Sequence, residues 1–293
     1  KGYRICSEMN CVNKLVLGTV QFGLDYGINN QFGQVHQDEV GQILRWAKKS
    51  GINTFDTSSA YGSSESVLGR SLSENNLQFQ IISKYPQSKE NVATVFASSI
   101  EKLHQQKLYG YLVHHFEFYQ SHPQLWEEMK QLKAEGKVEK IGFSLYDINQ
   151  LQYLLDNRVE FDILQFPYNL FDRQFDVYLS QLKQSGVEIH TRSVFLQGLF
   201  FKDLGSLSGQ MEPLKPYLLQ IRSYCAVHSI TIEQCALSFV LRNPFIDGVL
   251  IGVDNISQLQ NNINVAICTK EVEELAKQIT VKETYLLNPS NWL

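Results

Sequence analysis

The chain has no cysteine pattern that would suggest a metal site or a disulfide framework. Its five cysteines, Cys6, Cys11, Cys225, Cys235 and Cys268, are odd in number and scattered, with neither a CxxC pair nor zinc-ligand spacing to histidine. Reduced thiols and no metal are therefore expected. No run approaches the ~18 consecutive apolar residues of a membrane-crossing helix, and the start lacks the apolar block of a secretory signal. A cytoplasmic protein without a membrane partner is the expectation, although the first residue, Lys1, is not methionine and leaves an upstream segment open. Charge of one sign is also scarce. The net charge is -4 and the pI near 6.0, so no global field draws the chain onto nucleic acid. Pro/Gly/Ser-rich linkers and composition breaks are missing too, which favours one unit over residues 1–293.

What is present is an alternation. With 43% hydrophobic, 12% aromatic and 19% charged residues the chain can bury a large core. Short apolar, β-branched runs at 15–17, 53–56, 80–84, 110–114, 140–143, 163–166, 187–192 and 248–251 read as strands. Between them, helical spacing recurs at 38–49, 92–103, 123–134, 148–156, 175–184, 213–228 and 232–241. In the first of these Val40, Ile43, Leu44 and Ala47 share a face, Asp38 is the expected N-cap and Gly51 the stop. Strands that alternate with helices imply a parallel sheet, and eight repeats favour closure into a single-domain (β/α)8 TIM barrel of the α/β class. A doubly wound sheet is the other reading. Its dinucleotide version wants GxGxxG before a helix, whereas the first run continues Gly18-Thr19-Val20-Gln21-Phe22-Gly23-Leu24-Asp25, with no helix expected there.

In a barrel the carboxyl ends of the strands converge on one face. Those ends carry Asp56, Lys84, His114, Ser144, Gln165 and Arg192, and Tyr61 follows Asp56 by five residues. A tyrosine near pKa 10 is a poor acid unless its phenolate is stabilised. A neighbouring Lys84 would lower that pKa, Asp56 would hold the lysine, and His114 would orient a carbonyl by hydrogen bonding. Taken singly, each has a blander role: a packed loop tyrosine, a capping aspartate, a snorkelling lysine, a satisfied core histidine. Together, at the ends of successive strands, they read as a site.

Leu17-Gly18-Thr19, Asp56 with Tyr61, Ser83-Lys84 and Leu112-Val113-His114 resemble the motifs of the aldo-keto reductase family, and the resemblance runs from Lys14 to about Asn262. It implies NAD(P)H-dependent reduction of an aldehyde or ketone, with Tyr61 as general acid supported by Asp56, Lys84 and His114. It implies cofactor contacts from Gly18, Thr19, Val20 and Asp56, from Ser144 and Gln165 to the carboxamide, and from Arg192, Ser193, Phe195, Gln197 and Gly198. Arg192 stands where the family often has an aromatic residue, so its guanidinium would stack on the ring. Leu145 replaces the usual Asn or Arg after the serine. Gly252, Asp254, Gln258, Asn261 and Asn262 resemble the adenosine-binding loop and its helix.

NADP(H) is the family default, but Asp254 would repel a 2'-phosphate or accept ribose hydroxyls, which keeps NAD(H) as the alternative; Lys202 is a candidate for the pyrophosphate. Phe22, Tyr26, Phe116, Phe118 and Phe195 follow strand ends and are candidates for a substrate pocket, together with the segment Asn288-Pro289-Ser290-Asn291-Trp292. Tyr168-Asn169 is read as packing. The stretch from Leu17 to Gly27 resembles a bacterial branch associated with sugar metabolism, which implies a small, sugar-derived carbonyl substrate. A non-catalytic, cofactor-sensing subunit on the same barrel is the competing function, and the intact quartet weighs against it. A phosphate-binding lyase or isomerase barrel would want a glycine-rich loop after the seventh or eighth strand instead of the Gln258 to Asn262 pattern.

Overall fold

The computed structural model describes residues 11–28, 30 and 32–292. Eight parallel strands, β1 (Leu15–Gly18), β2 (Thr54–Asp56), β3 (Gln80–Tyr85), β4 (Leu108–Val113), β5 (Val138–Ser144), β6 (Ile163–Pro167), β7 (Glu188–Arg192) and β8 (Gly248–Gly252), pair in chain order. β1 closes the barrel by pairing with both β2 and β8, with Leu17 beside Phe55 on one side and Ile251 on the other.

The period-two alternation of a strand sorts the side chains. Leu17, Phe55, Ile81, Tyr111, Phe143, Leu164, Ile189 and Val249 face outward into the large core under the helices. Ile82, Leu112 and Ile163 form a separate cluster inside the barrel. Two residues beyond these three stand Lys84, His114 and Gln165, so the same alternation that packs the interior aims the next side chain at the carboxyl-terminal mouth. Asp56, Ser144 and Arg192 end β2, β5 and β7 in the same way.

The helices Val92–Leu103, Ile148–Asp156 and Ile232–Leu241 span the stretches expected of them. The helix Gln37–Ser50 corrects one detail: His36, not Asp38, is its N-cap, and Asp38 with Glu39 occupies the first turn, where a carboxylate complements the helix dipole. Gly51 ends it at φ 88°. The helices Phe116–Ser121 and Lys270–Gln278 were not expected, nor were two elements beside the site. One helical turn, Val20–Gly23, follows β1. Gly23 is required there, because a Cβ would lie 1.9 Å from the Tyr61 carbonyl oxygen. The helix Ser64–Glu74 escapes an apolar-period reading because Ser64, Glu65 and Ser71 are among its buried residues.

Cys11 is disulfide-bonded, against the expectation of reduced thiols, whereas Cys225, Cys235 and Cys268 are free. Sequence spacing tests for metal motifs, but a disulfide needs only proximity in space. Cys6 lies outside the described residues.

The opposite end of the barrel is closed by charge. Glu188 pairs with Lys140 and accepts hydrogen bonds from Tyr109 Oη at 2.7 Å and His190 Nε2 at 2.7 Å. Burial alone would raise the Glu188 carboxyl, but its contacts with His190, Lys140 and Tyr109 pull it down from 4.5 to about 2. A depressed carboxyl stabilises the fold above its unfolded pKa and loses that contribution as the pH falls toward the folded value. Glu188→Gln should therefore be less stable by about 2 kcal/mol at neutral pH, on the scale of hydrogen bonds to a half-buried charged group. In denaturant titrations the difference from wild type should shrink between pH 4.5 and about 2; a pH-independent difference would exclude the ion pair as its source.

Candidate active site

At the mouth of the barrel the strand-end residues meet in one network. Lys84, fully buried, forms an ion pair with Asp56 and donates from Nζ to the Thr57 carbonyl at 2.8 Å. Gln165 Nε2 donates to the other Asp56 oxygen, Oδ2, at 2.8 Å. Both carboxylate oxygens are thus engaged, as a buried charge requires. Lys84 lies behind the cavity wall, with Nζ 5.2 Å from the centre of the Tyr61 ring.

Tyr61 rides on the turn after β2, its N–H donating to the Ser58 carbonyl at 3.0 Å. Its ring meets His114 edge-on, with centroids 5.6 Å apart. The sequence led us to expect Lys84 to lower the tyrosine pKa. Here burial pushes the phenol well above 10, the Asp56 charge adds to the rise, and Arg192 opposes it. Tyr61 is therefore a neutral phenol that keeps its proton. His114 is held well below 6.5 by burial first, then by Lys84, His115 and Arg192, and is a neutral imidazole. Its Nδ1 lies 3.0 Å from Ser58 Oγ.

These groups open onto a cavity of about 790 Å³. Gly18, Thr19, Val20, Asp56, Tyr61 and His114 line it, as do Ser144, Gln165, Arg192, Ser193, Phe195, Gln197 and Gly198. Gly252, Asp254, Gln258, Asn261 and Asn262 complete the wall at β8 and the helix Ile256–Ile263. Lys202 is not on the wall. Arg192 lies with Cζ 4.3 Å over the Tyr146 ring and donates to the Leu145 carbonyl at 3.0 Å. Of the five aromatic residues considered for a substrate pocket, Tyr26 and Phe195 line the cavity, whereas Phe22 and Phe116 are buried in the core and Phe118 stacks on His122. Asn288, Pro289 and Ser290 reach the wall. Asn169 supports the site from behind by donating to the Ser193 carbonyl at 2.9 Å.

Sequence reasoning missed Gln21, Asn30, Tyr146 and Glu233, which also line the cavity. Tyr146 had a signal, since it stands two residues past Ser144 at a strand end. Glu233 had none, because it belongs to a helix remote in sequence from every motif.

The wall suits a nicotinamide dinucleotide. Gln21 Oε1 is buried with no partner among the described residues and so is free to accept from a ligand. Its amide lies 2.5 Å from the point where a Cβ on Gly252 would stand, so glycine there leaves the cradle open. Ser144, Gln258, Asn261 and Asn262 place hydroxyl and amide groups along the cavity wall. Among the described residues no group of three or more His, Cys, Asp or Glu side chains gathers as a metal site, and no single helix is long and apolar enough to cross a membrane.

Comparison with known proteins agrees with this geometry. The chain is 27% identical over 273 residues to the L-galactose dehydrogenase of Arabidopsis thaliana, covering 85% of this chain and 84% of that protein. It is 22% identical to the NADH-specific methylglyoxal reductase of Escherichia coli, covering 74% and 79%. The holo form of an aldo-keto reductase from Bacillus halodurans shares the fold at a TM-score of 0.70 and 19% identity, over 92% of this chain and 94% of that one. The family model of the aldo/keto reductases matches residues 14–280. The chain belongs to the aldo/keto reductase family and is an oxidoreductase that uses a nicotinamide cofactor.

Proposed function

We propose that this enzyme interconverts the carbonyl and hydroxyl forms of a small polyhydroxylated substrate, with Tyr61 as general acid and NAD(H) as the preferred cofactor. The observation that carries the reading is the juxtaposition, at the inner end of one cavity, of a neutral phenol, a neutral imidazole and a buried lysine–aspartate pair. A bound nicotinamide supplies the hydride. Tyr61 Oη delivers a proton to the carbonyl oxygen, and the His114 ring fixes that oxygen beside it. As the phenol gives up its proton, the cationic Lys84 and Arg192 stabilise the phenolate that forms. Asp56 holds Lys84 in place and Gln165 holds Asp56.

Tyr26, Tyr146 and Arg192 act electrostatically on Tyr61, so the reacting end is surrounded by polar groups. That wall suits a substrate with several hydroxyls better than an aromatic aldehyde. The relative named L-galactose dehydrogenase is in keeping with a sugar-type substrate.

The preference for NAD(H) rests on charge. Among the described residues, Arg192 is the only Lys or Arg that lines the cavity, and it stands at the reacting end. At the other end the Asp254 N–H donates to Gln258 Oε1 at 2.8 Å, with Gln258 Nε2 3.2 Å from Asp254 Oδ2. Glu39 already accepts from the Ile256 N–H at 2.7 Å, at the helix N-terminus that would otherwise attract a phosphate. A 2'-phosphate placed there would meet carboxylates, with no Lys or Arg among the described residues lining that end of the cavity to offset them. The NADP(H) expected from the family default thus gives way to NAD(H), the cofactor in the name of the Escherichia coli relative.

Titration by cofactor fluorescence should show NADH binding about tenfold or more tighter than NADPH, which corresponds to about 1.4 kcal/mol. Asp254→Ser should narrow the gap by improving NADPH binding. Tighter NADPH binding by the wild type would reject the cofactor assignment, and loss of both would reject the site.

A further inference from the structure

Ser58 lies between the two groups that face the substrate carbonyl. Its backbone carbonyl accepts the Tyr61 N–H at 3.0 Å, and its hydroxyl oxygen lies 3.0 Å from His114 Nδ1. Ser58 is fully buried and His114 is 9% exposed, so neither group has bulk water as an alternative partner at this contact.

The proton count decides the direction of that hydrogen bond. Ser58 Oγ accepts the Ala60 N–H at 3.1 Å. A serine hydroxyl has one proton to give, and no other acceptor for it is found among the described residues. If Nδ1 carried the histidine proton, the serine would accept twice and its own proton would be buried without an acceptor, an arrangement that forfeits the desolvation cost of a polar group. If the hydroxyl donates to Nδ1, every group is satisfied. The imidazole proton then sits on Nε2, the nitrogen left for a ligand in the cavity that His114 lines.

We infer that Ser58 is a positioning residue that selects the Nε2–H tautomer of His114, so that the ring presents a donor to the substrate carbonyl. The inference rests on the role given to His114 above. It has a separate content, because the tautomer is a property of the protein without substrate. The neutrality of His114 makes the choice consequential: a protonated ring would donate from both nitrogens, whereas a neutral ring donates from one alone. The wrong tautomer would turn an acceptor lone pair toward the carbonyl oxygen.

The test pairs imidazole nitrogen NMR of the purified protein with steady-state kinetics on Ser58→Ala and Ser58→Thr. The chain has seven histidines, so the His114 signal is assigned by its loss in His114→Asn. Wild type should show the Nε2–H form. In Ser58→Ala the two ring-nitrogen shifts should draw together, as exchange between tautomers requires. Its kcat should fall about tenfold, below the 10²–10⁴-fold range of general acid–base catalysis because the correct tautomer stays partly populated. NADH affinity should not change. Ser58→Thr keeps the hydroxyl and should restore both the tautomer and most of kcat, which a merely structural role would not predict. An Nδ1–H form in wild type, or an unshifted Nε2–H signal in Ser58→Ala, overturns the inference. A shifted tautomer with unchanged kcat upholds the assignment of Ser58 and overturns the role of His114 instead.

Discussion

Tyr61→Phe should bind NADH as tightly as wild type and turn over about a thousandfold more slowly, within the range that a positioned general acid contributes. The change removes one oxygen and leaves the ring contacts in place: the edge-on meeting with His114 at 5.6 Å and the approach of Lys84 Nζ at 5.2 Å do not need the hydroxyl. The fold should therefore hold, and a loss of kcat with unchanged cofactor affinity would point to the missing proton. Because the phenol is held well above its ordinary 10 by burial and by Asp56, the reduction should stay active on the alkaline side, where an unperturbed tyrosine would already be losing its proton. His114→Asn, which removes a donor to the carbonyl but not the proton that is transferred, should fall between wild type and Tyr61→Phe. Retention of near wild-type turnover by Tyr61→Phe would assign the acid elsewhere, and His114 would be the first alternative.

The fold was legible because the barrel repeats one simple pattern. Leu15–Gly18 and Gly248–Gly252 pair side by side although Leu15 and Gly248 lie 233 positions apart, yet each reads locally as an apolar strand. Their pairing follows from eight repeats that leave no other closure. The strand-end residues were legible for the same reason, since a fixed alternation decides which side chain faces the mouth. What could not be read were contacts that depend on where a helix surface lands. Glu39 lies in the first turn of one helix and caps another more than two hundred residues later. Ser58 is flanked by Thr57 and Ser59, and nothing in that run marks it as the residue that meets His114. The lysine effect was misjudged for an electrostatic reason. Spacing places Lys84 near Tyr61, but the ammonium's closest partner is Asp56, and burial of the phenol with the Asp56 charge beside it sets the net shift upward.

The buried lysine–aspartate pair gives the second large effect, in which stability and activity should part. Lys84→Met replaces the ammonium with an unbranched apolar chain and leaves Asp56 buried with Gln165 as its one remaining side-chain donor among the described residues. Removing one partner of a buried pair costs about 3–5 kcal/mol, because the remaining charge stays uncompensated. This variant should therefore unfold at markedly lower denaturant concentration and lose turnover. Asp56→Asn combined with Lys84→Met removes both charges. The asparagine oxygen can still accept from Gln165, and the Thr57 carbonyl that loses its 2.8 Å contact with Nζ is the one group left short of a donor. Two neutral side chains of similar volume avoid the desolvation penalty, so the double variant should recover most of the lost stability. It should not recover kcat, because no cation then lies beneath the Tyr61 ring to hold the phenolate. That combination, restored denaturation midpoint and absent turnover, would show that Asp56 and Lys84 are kept at the mouth of the barrel for chemistry. If the double variant were as unstable as Lys84→Met, the pair would be a structural element; if it turned over near the wild-type rate, phenolate stabilisation would have to come from Arg192 alone.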